Sequence, residues 1–205
     1  MIGSYFSVPI WKESCGMDFS TEIDLYNQII NDCKKNPNQM YDKWNCDVHS
    51  SFLPNKPDNI DYTKSMFFYK KAYESFANSL GMKRHSYKIT DIWYNKYKQK
   101  QFQEIHHHHP SSFSAIHYLR LCDDHPGTTF INPSKHGFLY ESFLTNLFNL
   151  CDSSNDLHSF FYPKFSISVK QGDIIIFPSS IEHEVCQQKS NNERITISFN
   201  IQIDS

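Results

Sequence analysis

Long apolar runs are missing from this chain. No stretch approaches the roughly 20 consecutive apolar residues that a membrane helix needs, and the opening segment, Met1 to Ile10, carries neither a basic leader nor an apolar run. The expectation is a soluble, cytosolic protein without a membrane span. An excess of one charge is missing as well. Lys+Arg number 20 against 22 Asp+Glu, a formal net charge of -2, so no broad basic field exists to hold a phosphate backbone, and a nucleic-acid partner is unsupported. The six cysteines (Cys15, Cys33, Cys46, Cys122, Cys151, Cys186) lie far apart with no C-x-x-C pair. That spacing argues against a zinc knuckle and against a dense disulfide framework, and leaves mostly buried free thiols. Arginine is scarce too: Arg84, Arg120 and Arg194 are the only three.

Aromatic residues are plentiful. They make up 16% of the chain, with 17 Phe and 12 Tyr, a composition that suits a sheet-rich core. The 205 residues fit a single domain, 1–205, able to bury a proper core. Its parts differ in texture. In 1–81, Ile23, Tyr26, Ile29, Ile30 and Cys33 recur at helical spacing, so a helix is expected over Thr21 to Cys33, with Ser20 or Thr21 as cap. Lys34 to Ile60 holds Pro37, Pro54 and Pro57 without a sustained period and reads as a long irregular connection. A second helix, about Asp61 to Leu80, has Met66, Tyr69, Tyr73, Phe76, Ala77 and Leu80 on one face and Gly81 as its stop.

From about 82 to 205 the signals are those of strands. Tyr87 to Tyr97, Phe113 to Leu121, Thr128 to Ile131, Phe165 to Val169, Ile174 to Phe177, Ile181 to Val185 and Ile195 to Ile203 are rich in β-branched and aromatic residues and are separated by turn residues. Many short strands with tight turns point to a mainly β sandwich or jelly roll supported by the N-terminal helices. An insertion at about 135–163, partly helical around Tyr140 to Leu150, interrupts this core.

Four consecutive histidines, His106 to His109, carry the chemical signal. On an extended strand residues i and i+2 point the same way, so Glu104, His106 and His108 share one face and His107 and His109 the other. A same-side His-x-His pair chelates a divalent metal through neutral imidazole nitrogens at roughly 2.0–2.1 Å. His183, between Ile181 and Val185 on its own strand, is a polar side chain on an apolar face and the best candidate for a third ligand. Downstream, Arg194, Thr196, Ser198 and Asn200 alternate with Ile195, Ile197, Phe199 and Ile201, one polar and one apolar face. The guanidinium of Arg194 matches a carboxylate bidentately; the plainer alternative is a structural ion pair with Glu182 or Glu193. Trp93, Phe177 and Phe199 read as core, and His117, His125, His136 and His158 as ordinary histidines.

The segments Trp93-Tyr-Asn95-Lys-Tyr97, Phe102-Gln-Glu-Ile-His106-His-His108, Ser114-Ala-Ile-His-Tyr118-Leu, Gly172-Asp-Ile-Ile-Ile-Phe177-Pro-Ser-Ser-Ile-Glu-His183 and Glu193-Arg194-Ile-Thr-Ile-Ser-Phe199-Asn200 together resemble the iron(II)/2-oxoglutarate-dependent oxygenase superfamily. Within it, the resemblance is to a group of oxygenases common in phage and bacterial genomes. It spans Tyr87 to Ile203. It implies a double-stranded β-helix of cupin-like type and a dioxygenase that couples 2-oxoglutarate decarboxylation to hydroxylation of an unidentified substrate, a small molecule or protein side chain. Succinate and CO2 would be released, in the cytoplasm of the cell or, for a phage-encoded chain, of its host.

Carried over, the resemblance implies that His106, His108 and His183 bind Fe(II) and that Arg194 pairs the far carboxylate of 2-oxoglutarate, with Asn95, Tyr97 and Thr196 as further cofactor-binding positions. Two points stay open at this level. Counting from Asn95 and Phe102 favours His106/His108, whereas Pro110 after the run fits His107/His109. A histidine also stands where the superfamily usually has a carboxylate ligand, with Glu104 a candidate compensating acceptor or ligand. The competing readings are a three-histidine cupin-type dioxygenase that needs no keto acid and a non-enzymatic, metal-stabilised β-sandwich binding module. Selectivity is expected to lie in 34–60 and 135–163. Nothing in the sequence specifies the substrate or the oligomeric state.

Overall fold

The alternating pattern after Gly81 folds as two antiparallel sheets that face each other. The computed structural model describes residues 8–16, 18–33, 48–52, 61–133, 146 and 163–204. In chain order the elements are β1 (Trp11–Ser14), α1 (Ser20–Cys33), β2 (His49–Ser50), α2 (Thr63–Ser79), β3 (Tyr87–Tyr97), β4 (Gln103–His106), β5 (Phe113–Arg120), β6 (Thr129–Ile131), β7 (Lys164–Ser166), β8 (Asp173–Pro178), β9 (His183–Val185) and β10 (Arg194–Ile203). The major sheet has the order β1-β8-β5-β10-β3-β2, and the minor sheet β4-β9-β6-β7. Every pairing is antiparallel.

Period-two alternation gives the central strands β8, β5 and β10, and the second half of β3, two buried faces. Tyr94, Ala115, Leu119, Ile174, Ile176, Ile195, Ile197, Phe199 and Ile201 point outward and pack with Phe19, Ile23, Tyr26, Tyr69, Tyr73 and Phe76 from the helical layer. The intervening positions point at the minor sheet. There Ile116, Tyr118, Ile175 and Phe177 meet Phe130 and Ile181. Burying each large apolar side chain contributes about 1.5–3 kcal/mol, and Phe199 stacked on Tyr69 at 4.4 Å ties α2 to the centre of the sheet.

The helices follow their expected boundaries closely. At the start of α1 the capping oxygen comes from Asp18, which accepts the Ser20 backbone N–H at 2.9 Å, rather than from Ser20 or Thr21. That hydrogen bond holds the Asp18 carboxyl below its ordinary range. Gly81, at φ +67, takes the left-handed turn that ends α2. Leu80 is exposed instead of sharing the apolar face, because the helix has already ended at Ser79.

Three further expectations are corrected. The region 1–81 contributes two strands as well as helices: β1 pairs with β8 and β2 pairs with β3. The strand expected over Phe165 to Val169 is the shorter Lys164–Ser166, and that expected over Ile181 to Val185 is His183–Val185; the peptide at Ile181 is instead held in a turn by its N–H bond to Pro178 O. Cys15 is buried as expected, but Cys122 and Cys186 are partly exposed. The expected helix around Tyr140 to Leu150, His136, His158 and most of 34–60 and 135–163 lie outside the described residues.

Candidate metal centre

Antiparallel pairing of β4 with β9 sets His106 directly opposite His183. The chain leaves β4 after His106, and the His108 N–H donates to the Ser179 carbonyl at 2.9 Å, so the tip of the run is tied to the turn that follows β8. His106, His108 and His183 therefore converge, with ring centroids 4.3 to 5.1 Å apart. One ring nitrogen from each lies within 4.8 Å of the others. Two nitrogens on one ion at roughly 2.1 Å each stand no more than about 4.2 Å apart, so a small side-chain rotation closes the set. His107 and His109 are exposed and lie outside this cluster.

The backbone fixes which nitrogen the rings of His106 and His183 offer. His106 Nδ1 faces the Glu104 carbonyl at 2.7 Å and His183 Nδ1 faces the Ile181 carbonyl at 3.0 Å. A nitrogen that faces a carbonyl carries the proton, which leaves Nε2 with its lone pair toward the pocket. Burial holds all three rings neutral: His106 is shifted down, His108 down to about 3, and His183 well below the ordinary value, the neighbouring imidazoles adding to the effect. Neutral imidazole is the ligand form.

Asn95, Tyr97, Gln103, Arg194, Thr196 and Ser198 line the same pocket, and Trp93 and Phe177 complete its walls. The sheet register explains why. Arg194 pairs with Tyr97, Thr196 with Asn95 and Ser198 with Trp93, so these residues form rungs on one face. Trp93 and Phe177 are buried, as expected of core residues, yet their rings stand 5.3 Å from His108 and 4.9 Å from His183. They belong to core and pocket at once.

Arg194 is 1% exposed. Its guanidinium lies over the rings of Tyr97 and Tyr118 at 5.2 and 5.4 Å, and Nη2 donates to Thr128 Oγ1 at 3.4 Å. Nε and Nη1 are buried without a hydrogen-bond partner among the described residues. Glu193, one of the two partners named for the alternative of a structural ion pair, instead pairs with Lys96 at 3.2 Å and Arg120 at 3.5 Å. A buried cation left uncompensated is costly, and a guanidinium with unspent donors on Nε and Nη1 fits an anionic partner such as a carboxylate. Three neutral imidazoles and an unsatisfied guanidinium on one pocket are what a divalent cation with a dicarboxylate ligand requires, so Fe(II) and 2-oxoglutarate fit the residues present.

Glu104 does not join the cluster as strand alternation suggests. The β4–β9 register shifts between Gln103 and His106, and this irregularity places Gln103 rather than Glu104 on the pocket face. Glu104 Oε2 is buried and unbonded among the described residues. Sequence reasoning missed Gln103, since the extra residue between Gln103 and His106 that shifts the register leaves no mark in an apolar-polar pattern. It missed Thr128 and Tyr118 around Arg194 for a different reason: Tyr118 on β5 and Thr128 just before β6 lie in stretches that read simply as core.

Residues 91–200 match the family model described as "Putative 2OG-Fe(II) oxygenase". The chain belongs to this 2OG-Fe(II) oxygenase family. No curated protein matches it in sequence. Among solved structures it resembles HygX from Streptomyces hygroscopicus with nickel and 2-oxoglutarate bound, at 8% identity over 95% of this chain and 83% of that one, TM-score 0.57. It also resembles a Trichoplax adhaerens prolyl hydroxylase in complex with a peptide fragment of a hypoxia inducible factor oxygen degradation domain, at 12% identity over 94% and 83%, TM-score 0.54. At such identities the likeness is one of fold, and the fold is the double-stranded β-helix of 2OG-Fe(II) oxygenases. A protein from Burkholderia pseudomallei described as an oxidoreductase of the 2OG-Fe(II) oxygenase family is 16% identical over 71% of this chain, TM-score 0.48, and the chain spans only 58% of its length. Among the described residues no helix is long and apolar enough to cross a membrane.

Proposed function

We propose that the protein is a non-haem dioxygenase in which His106, His108 and His183 hold Fe(II) and Arg194 holds the distal carboxylate of 2-oxoglutarate. When bound, iron and keto acid supply the oxidation, coupling decarboxylation to succinate and CO2 with hydroxylation of a substrate C–H bond. The chain's residues bind and orient. The Glu104 and Ile181 carbonyls keep the protons of His106 and His183 on Nδ1, and the Ser179 carbonyl fixes the backbone of His108. Tyr97 and Tyr118 flank the guanidinium and exclude water from it, which strengthens its pairing with an anion. Asn95 and Thr196, one rung further along the sheet, provide polar contacts along the keto acid. The substrate is taken to be a small molecule or a protein side chain.

The observation that carries this reading is Arg194: a buried guanidinium with two unspent donors, on the same pocket as three neutral imidazoles. It also separates the reading from its rivals. A cupin-type dioxygenase without keto acid, or a metal-stabilised binding module, leaves that charge without a task. The test is incubation of the protein with Fe(II), 2-oxoglutarate and O2, with succinate followed by NMR. Slow succinate formation that needs Fe(II) and is lost in Arg194→Met is expected even without the true substrate. Failure of the protein to bind either iron or 2-oxoglutarate contradicts the proposal.

A further inference from the structure

Gln103 stands between the two halves of this pocket. Tyr97 Oη donates to Gln103 Oε1 at 2.6 Å, and Gln103 Nε2 lies 3.3 Å from His106 Nε2. The orientation of the amide follows from its surroundings. His106 Nδ1 is committed as a donor to the Glu104 carbonyl, so Nε2 bears a lone pair, and only the amide NH2 can bond to it. That lone pair is the one the metal would take. With a metal on Nε2 the amide loses its acceptor, and a donor is left beside the metal-bound nitrogen with nothing in the ligand set to receive it. All three ligands are neutral, and the negative charge at the metal would come from the keto acid.

We propose that Gln103 is a positioning residue with two successive partners: it holds the His106 lone pair in the metal-free protein, and it donates to the metal-bound carboxylate of the keto acid once the metal has displaced it. Tyr97 serves both states. Its hydroxyl proton on Oε1 fixes the amide and polarises its N–H bonds, which makes them better donors. The three-residue spacing from Gln103 to His106 is available because the strand register shifts between them. This inference rests on the metal and keto-acid reading above.

The two roles predict effects of opposite sign in one variant. Gln103→Leu removes a competitor for the metal and a donor to the anion. Mn(II) binding to the full chain should tighten about two- to tenfold, and 2-oxoglutarate binding to the Mn(II)-loaded protein should weaken about tenfold, the scale of one hydrogen bond and one charge-assisted hydrogen bond. Gln103→Glu, nearly isosteric, places a carboxylate oxygen beside Nε2. It should tighten Mn(II) further, about tenfold or more, and weaken 2-oxoglutarate by at least as much. Anaerobic calorimetric titrations of the wild type and both variants read all six constants. A residue that merely supports the fold would weaken both ligands in both variants, and that result overturns the proposal, as does a Gln103→Leu protein with both constants within twofold of wild type. A wild type that takes up no Mn(II) removes the three-histidine reading itself, and this inference with it.

Discussion

The two faces of β10 are equally buried and differently spent. Toward the helices, Ile195, Ile197, Phe199 and Ile201 are each 0% exposed; toward the minor sheet, Arg194, Thr196, Ser198 and Asn200 are 1 to 6% exposed. Burial therefore does not distinguish core from site. What does is whether polar groups find partners and whether their unspent atoms converge. His117 on β5 of the major sheet and His183 on β9 of the minor sheet make the same point. Each is buried, but His117 bonds Tyr69 Oη through Nδ1 at 3.0 Å and turns an unbonded Nε2 into a cage of Phe19 and Phe68. Among the described residues no second ligand meets it. His183 turns its free nitrogen toward two others.

The largest effect that can break this contrast is loss of a converging ring. His183→Ala should abolish metal-dependent succinate formation, since loss of residues that merely support metal ligands already costs about 10–100-fold; NMR detection of succinate checks it. His117→Phe should leave that activity intact. Next comes Arg194→Met. It should weaken 2-oxoglutarate about 30- to 5,000-fold, on the scale of about 2–5 kcal/mol for an uncompensated charge pair, while metal affinity stays within a few-fold by calorimetry. It should not destabilise the ligand-free fold, and a gain of about 1 kcal/mol or more in urea unfolding is expected, because an unpaired buried charge is removed.

On the other face, Phe199→Ala should cost about 3–5 kcal/mol of stability through the cavity it leaves against Tyr69, read from the urea midpoint. A folded Phe199→Ala protein should retain the 2-oxoglutarate affinity of the wild type. That outcome sharpens the separation of the faces; a large loss of affinity at unchanged stability breaks it.

How the two faces divide was legible from the strict alternation of β10, and so were the second helix with its Gly81 stop and the strands from Tyr87 onward. The site was legible where chemistry is concentrated in rare residues: four histidines in a row, a histidine between two apolar neighbours, one arginine opening a strand. It was not legible where backbone irregularity decides. Register between His106/His108 and His107/His109 depends on where the chain leaves β4, and the exchange of Glu104 for Gln103 depends on the shift before His106. β1 and β2 were unreadable because strands of four and two residues carry too few positions to show a period.

A smaller effect concerns His117. Burial pushes its folded-state value down to about 3, with the Asp173 charge opposing weakly, against about 6.5 unfolded. The unfolded chain then binds a proton that the folded one refuses, so this contribution is intact above about pH 6.5 and is lost as pH falls toward 3. Stability should drop by about 2 kcal/mol between pH 7 and pH 5, and His117→Phe should flatten that part of the profile. Denaturant unfolding at a series of pH values measures it. Smallest of all, His107→Ala and His109→Ala should each change stability by less than about 0.5 kcal/mol, since both side chains are exposed.

The central claim is that His106, His108 and His183 close around one ion while the alternate residues of the same run do not. Anaerobic Fe(II) titration of the full chain and of single alanine variants at 106, 107, 108, 109 and 183 tests it most directly. One ion per chain is predicted for the wild type, His107→Ala and His109→Ala, with binding lost or weakened by about a hundredfold or more at the other three positions. Loss at 107 and 109 with retention at 106 and 108, or binding indifferent to His183, would contradict the account.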